Sequence, residues 1–139
     1  MNEVDEVALK LRTVIRLLVR RAYSVVDNGP ARSEQGVLAW LDEKGAMTPG
    51  ALATIEKVRP QTMGQTLEAL DRRRWIKRTP HLNDRRQTLI SLSPAGRKAL
   101  VKAREQRQTW LVNQLNKLKN KDLQTLIAAL DTLDRIAQS

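Results

Sequence analysis

The sequence predicts a mainly α fold in which a helix-turn-helix and a small antiparallel β-hairpin wing sit between long helices at the two ends of the chain. Three observations predict it. Apolar residues recur at spacings of three and four over most of the 139 residues. Thr48-Pro49, Arg59-Pro60 and Ser93-Pro94 each restart that pattern with a helix-opening proline. Between Arg72 and Gly96 the helical period gives way to two short extended runs around a polar, arginine-rich turn.

From Val4 to Val26, the apolar residues Val4, Val7, Ala8, Leu11, Val14, Ile15, Leu18, Ala22 and Val25 share a face, with Arg12, Arg16 and Arg20 on others. This predicts an amphipathic helix ended by Asn28, Gly29 and Pro30. A short second helix is expected to begin with Ser33 as N-cap and Glu34 in its first turn, to carry Val37, Leu38 and Leu41 inward, and to stop at Gly45. Thr48 caps a third, opened by Pro49 and running to about Glu56 with Leu52 and Ile55 toward the core. A fourth starts at Pro60, buries Met63, Leu67 and Leu70, and ends in Arg72, Arg73 and Arg74. Two short helices joined by a tight turn form the helix-turn-helix.

In the hairpin, Trp75 and Ile76 are apolar and Lys77 and Arg78 basic; Pro80, Asn83 and Asp84 break the chain before Thr88, Leu89, Ile90 and Leu92 resume an extended pattern. Ser93 and Pro94 open a long helix through Leu100, Ala103, Arg107, Trp110, Leu111, Leu115 and Leu118. Asn120 caps a final one with the stripe Leu123, Leu126, Ile127, Leu130, Leu133 and Ile136. Residues 1–139 are expected to form a single domain: 1–30 an N-terminal helix, 31–92 the helix-turn-helix and wing, 93–139 the C-terminal helices. Once the central unit has closed its own core, the stripes on the first and last helices have no apolar partner left. They can bury against each other or against a second copy of the chain, and twofold dimers are the commonest oligomers.

Lys and Arg number 25 against 15 acidic residues, a formal net charge of +10, as expected of a protein that meets a polyanion. No apolar run approaches the roughly 20 residues that span a bilayer, and the amino terminus lacks the regions of a signal peptide. A cytoplasmic protein with no membrane partner is expected. The absence of cysteine excludes disulfides, thiolate zinc sites and thiol-based redox sensing within the chain. A Ser-His-Asp triad would have to be built on the one histidine, His81, beside Pro80 in the wing turn, and no carboxylate cluster with metal-ligand spacing accompanies it. Neither an enzyme nor a metal or cofactor is expected; His81 reads as a turn residue or a phosphate contact.

Between Lys57 and Arg86, the basic residues Lys57, Arg59, Arg72, Arg73, Arg74, Lys77, Arg78, Arg85 and Arg86 outweigh Glu68, Asp71 and Asp84. Neutralising phosphates supplies affinity without sequence choice, and choice needs contacts to base edges. Arg59 can bond two acceptors on guanine, and Gln61, Thr62 and Gln65 are shorter polar readers on the same helix. Arg72, Arg73, Lys77 and Arg78 extend the DNA-binding set. Gly64 lowers helix propensity by about 1 kcal/mol relative to alanine, which suits close approach to DNA or to a packed neighbour. Asp84 is placed to bond local backbone groups or an arginine, leaving Arg86 or Arg85 to project toward a minor groove. Duplex DNA is the expected partner. An RNA-binding or ribosome-associated basic protein would use the same surface, although three Trp, one Tyr and no Phe leave few rings to stack on unpaired bases. A non-DNA-binding adaptor with the same fold is a further reading.

LEALDRRRWIKR at Leu67–Arg78, NDRRQTLISLSPAGR at Asn83–Arg97 and the paired terminal helices resemble the MarR family of winged helix-turn-helix transcriptional regulators, over essentially the whole chain. The DRR turn, the strand after it and the Leu92, Ser93, Gly96 pattern are the most specific part. The resemblance implies long terminal dimerisation helices and a homodimer in which each fourth helix enters a major groove and each wing an adjacent minor groove. By motif position, Arg86 matches the wing-tip arginine and Asp84 its orienting acid. A pseudo-palindromic operator, frequent repression, and frequent control by a small aromatic or anionic effector held between the dimerisation and DNA-binding regions are also implied. Where the family commonly has glycine and then leucine after the recognition helix, this chain has Arg74 and Trp75, so Arg74 is expected to close the helix without glycine's freedom at positive φ.

Overall fold

Helix starts in this chain are set by which group can reach the first unpaired N–H groups. In a computed structural model describing residues 1–139, the elements are α1 (Glu3–Ser24), α2 (Arg32–Lys44), α3 (Pro49–Glu56), α4 (Pro60–Arg72), β1 (Ile76–Pro80), β2 (Thr88–Leu92), α5 (Pro94–Asn116) and α6 (Asn120–Gln138). Thr48 and Ser93 cap α3 and α5 as expected, accepting from the N–H groups of Ala51 at 3.1 Å and Gly96 at 3.0 Å. Two caps differ. Ser33 lies inside the first turn of α2; the cap position is Ala31, whose N–H donates to the Glu34 carboxylate at 2.8 Å. The acid three residues on supplies the backward half of a capping box, so no hydroxyl is needed. Asn120 is likewise the first helical residue of α6, capped by the Lys119 backbone with Asp122 in the first turn, favourable at the positive end of the helix dipole.

The central unit owns the core. Val37, Leu38 and Leu41 of α2, Leu52 and Ala53 of α3, Met63, Leu67 and Leu70 of α4, Ile76 of β1, Ile90 of β2 and Leu100 of α5 form one buried cluster. Ala53 rather than Ile55 accompanies Leu52; Ile55 is half-buried. Each fully buried leucine contributes about 1.5–3 kcal/mol, whereas the exposed Arg78–Asp71 pair, at 2.8 Å, is worth about 0–1 kcal/mol. Burial, not surface pairing, therefore fixes how α2, α3 and α4 sit.

The sheet is an antiparallel hairpin in which Ile76 pairs Leu92, Arg78 pairs Ile90 and Pro80 pairs Thr88. Pro80, expected to break the chain, ends β1, a position where a missing ladder donor is tolerated. Met47, in the α2–α3 connection, exchanges two backbone hydrogen bonds with Ile90, at 2.9 and 2.7 Å, fastening the wing to the helix-turn-helix. Within one chain the terminal stripes do not bury each other: neither α1 nor α6 contains a buried residue. Val4, Val7, Ile15 and Leu18 of α1 and Ile127, Leu130 and Ile136 of α6 all lie exposed.

Candidate nucleic-acid interface

Helix α4 is joined to α3 by a tight turn in which Lys57 takes the left-handed conformation at φ 57° and Arg59 occupies the N-cap of α4. Burial of Met63, Leu67 and Leu70 against the core forces the opposite face outward. Arg59, Gln61, Thr62 and Gln65 are all exposed on the first two turns. The N-terminal half of α4 thus presents free donors and acceptors beside its own partly unpaired N–H groups.

The arginines at the end of α4 take different places. Arg72 is exposed and, with Gln65 and Thr66, lines a groove against the start of α2. Arg73 is turned onto the protein: its Nη1 donates to the Asn28 carbonyl at 2.8 Å, its guanidinium stacks 4.3 Å from the Trp75 ring centre, and its Nε lies 4.0 Å from the buried Glu34 carboxylate. Arg73 therefore ties the α1–α2 connection to the end of α4. Arg74 has φ 60°, as its place after the helix requires. Its N–H donates to Asp71 at 2.9 Å, and the Trp75 N–H donates to Leu70 at 3.1 Å. This is a Schellman closure, normally made by glycine.

The wing turn is organised by two residues. The Asp84 carboxylate accepts from the Arg86 backbone N–H at 3.1 Å and from the Arg86 Nε at 3.2 Å. Those two bonds, the backbone one foremost, and then the nearby His81 and Gln87, hold the Asp84 carboxyl below its ordinary value against a small opposing loss of hydration. Arg86 keeps 92% of its side chain exposed while so held. His81 is half-buried, and its Nδ1 accepts from the N–H groups of Asn83 and Asp84, both at 3.1 Å. That turn-ordering role was only half visible in the sequence, because an imidazole acceptor has no spacing signature comparable to an Asx turn.

Lys77, Arg78 and Arg85 are exposed, and Arg78 pairs with Asp71. Arg78 and Arg86 also line one cleft with Thr48, Gly50 and Ala51 at the start of α3. Nothing in the sequence linked those residues, since the Met47–Ile90 bridge that brings them together is a backbone contact.

The family model described as the MarR family matches residues 32–88. An uncharacterised HTH-type transcriptional regulator of Mycobacterium bovis is 39% identical over 101 residues, spanning 73% of this chain and 71% of that protein. Another, from Mycobacterium leprae, is 36% identical over 120 residues, or 86% and 84% of the two chains. A solved Pseudomonas aeruginosa structure reported as a transcriptional regulator is similar over 100% of this chain and 99% of its own, with a TM-score of 0.84 at 32% identity. A MarR family protein from Bacillus stearothermophilus shares the fold, with a TM-score of 0.78 at 23% identity, over 100% and 99%. An exposed helix after a tight turn, a wing fastened beside it and similarity along most of the chain converge: the chain belongs to the MarR family of DNA-binding, winged helix-turn-helix transcriptional regulators.

Proposed function

We propose that the protein acts in the cytoplasm as a homodimeric repressor on a pseudo-palindromic operator, with Arg59, Gln61, Thr62 and Gln65 reading the major groove and Arg85 and Arg86 reaching the minor groove. The single observation that carries this reading is the pairing of an unobstructed polar face at the start of α4 with a wing arginine held in place by Asp84. Arg72 and Lys77 serve as phosphate contacts. Arg78 joins them because its exposed pair with Asp71, worth about 0–1 kcal/mol, is too weak to keep it from a phosphate. Arg73, bound to Asn28 and stacked on Trp75, contributes by positioning the end of α4.

Selection from a random duplex library tests the reading. An inverted repeat is expected, with half-sites about 34–36 Å apart; enrichment of asymmetric single half-sites, or of structured RNA in a matched-salt competition, overturns it. Arg86→Ala should weaken binding and reduce the salt slope by about one phosphate equivalent.

An effector would find room in a cavity of about 500 Å³ beneath the α1–α2 connection, lined by Asn28, Trp75, Lys98, Lys102 and Gln106 among others. The Gln106 Oε1 is buried there without a hydrogen-bond partner, a cost that a ligand donor would relieve. Two lysines and an indole suit an aromatic acid.

A further inference from the structure

Gly64 sits in the second turn of α4, a helix-interior position where glycine is disfavoured relative to alanine. Of the other glycines, Gly50 also has open space around it but lies in the first turn of α3 rather than in a helix interior, and the rest have a visible reason. An added Cβ at Gly96 would run into the Trp75 carbonyl, one at Gly36 would press on the Glu56 carboxylate, and Gly45 has φ 81°. At Gly64 an added Cβ meets nothing within 4 Å, and its φ lies in the ordinary helical range. No neighbour in the fold needs the missing side chain.

We propose that Gly64 is a docking glycine, whose bare backbone lets α4 seat against a base-pair edge of the operator at a distance that any side chain would prevent. The inference rests on the reading of α4 as the helix that enters the major groove. Position supports it: helical geometry sets Gly64 on one strip with exposed Gln61, three residues before, and exposed Glu68, four after. That strip is polar, whereas the surfaces suited to a second protein copy are the apolar faces of α1 and α6. The exposed carboxylate of Glu68 on the next turn disfavours a phosphate beside it, which favours a base edge as the group that meets Gly64. Gly64 is thereby a specificity-determining position that contributes no hydrogen-bonding side chain of its own.

The test uses full-length protein and the duplex enriched from a random pool, with a scrambled duplex alongside. Gly64→Ala is expected to raise the unfolding midpoint by a few degrees while weakening binding to the selected duplex at least tenfold. Affinity for the scrambled duplex and the salt slope should stay at wild-type values. Gly64→Leu, also a better helix former than glycine, should lose still more. A variant that binds the selected duplex as tightly as wild type overturns the proposal. So does a lowered midpoint, which would mean that the fold itself needs the glycine, or a greater loss for alanine than for leucine, which would point to helix stiffening instead of steric exclusion. If the wild-type chain enriches no duplex, the DNA reading fails and takes this proposal with it; retained selection with an indifferent Gly64→Ala removes the proposal alone.

Discussion

The joint between α4 and the wing turns on two residues whose demands are opposite. Arg74 holds φ 60° without glycine's freedom, at a cost of about 1–2 kcal/mol for an L side chain. Its carbonyl accepts from the Ser93 hydroxyl at 2.7 Å, and the Ser93 N–H donates to the Trp75 carbonyl at 3.0 Å. The start of α5 therefore clamps the turn that Arg74 alone would resist. Clamping at that range leaves no room at Gly96, where a Cβ would run into the Trp75 backbone. Arg74→Gly is expected to raise stability slightly, by roughly 0.5 kcal/mol, because relief of the turn is partly offset by the freer unfolded chain. Gly96→Ala should cost at least about 1–3 kcal/mol, because the obstruction is backbone and cannot rotate aside. Equilibrium denaturation at fixed protein concentration reads both, and a Gly96→Ala midpoint equal to wild type refutes the clamp. The sequence showed Ser93 and Gly96 as a pattern and Arg74 as a departure; it could not show that the three meet, because they do so through backbone carbonyls.

Among the elements, those whose start is marked by a side chain one residue before proline were legible from sequence, as Thr48-Pro49 and Ser93-Pro94 show. Ser33 and Asn120 were misread as caps because the Glu34 carboxylate takes the Ala31 N–H, starting α2 two residues earlier, and the Lys119 carbonyl takes the N–H groups of Asp122 and Leu123; local spacing does not show either. The wing's strands were legible as extended runs on either side of a polar turn, but the wing's attachment to the helix-turn-helix was not, since Met47 pairs with Ile90 through main-chain atoms. The same wing carries a pH prediction. Folding lowers the Asp84 pKa, so its contribution is complete above the unfolded value and is lost as pH falls through the folded one. The turn should thus be intact at neutral pH and loosen only in acid, below the ordinary aspartate range. Carboxyl chemical shifts followed by NMR should give Asp84 a midpoint lower than that of an unstructured aspartate. Asp84→Asn should abolish that titration while keeping one acceptor for the Arg86 N–H; an Asp84 midpoint at or above the ordinary value rejects the account.

For the whole molecule, the division of burial between centre and ends is decisive. The buried cluster draws on α2, α3, α4, the wing and Leu100 of α5 and stops there, so the central unit does not need α1 or α6 to close its core. Those helices nevertheless place Val4, Val7, Ile15, Leu18, Ile127, Leu130 and Ile136 on exposed faces, and rows of exposed apolar side chains mark interaction sites. A second copy would cover such faces at twice the gain, because in a twofold interface every residue is buried two times. Full burial of a leucine is worth about 1.5–3 kcal/mol and Leu130 is half-exposed in the single chain, so over two copies Leu130→Glu removes about 1.5–3 kcal/mol from the dimer before the cost of burying charge is counted. At about 1.4 kcal/mol per factor of ten, the dimer dissociation constant should rise by about one to two powers of ten, and further by the cost of the buried charge. Sedimentation equilibrium should then find a folded monomer at micromolar concentration, with the core tryptophan environment of Trp40 and Trp75 unchanged. Operator affinity should fall to that of a single half-site, because two recognition helices no longer share one binding event. A Leu130→Glu protein that keeps dimer mass and wild-type operator affinity would place the twofold contact elsewhere on the molecule.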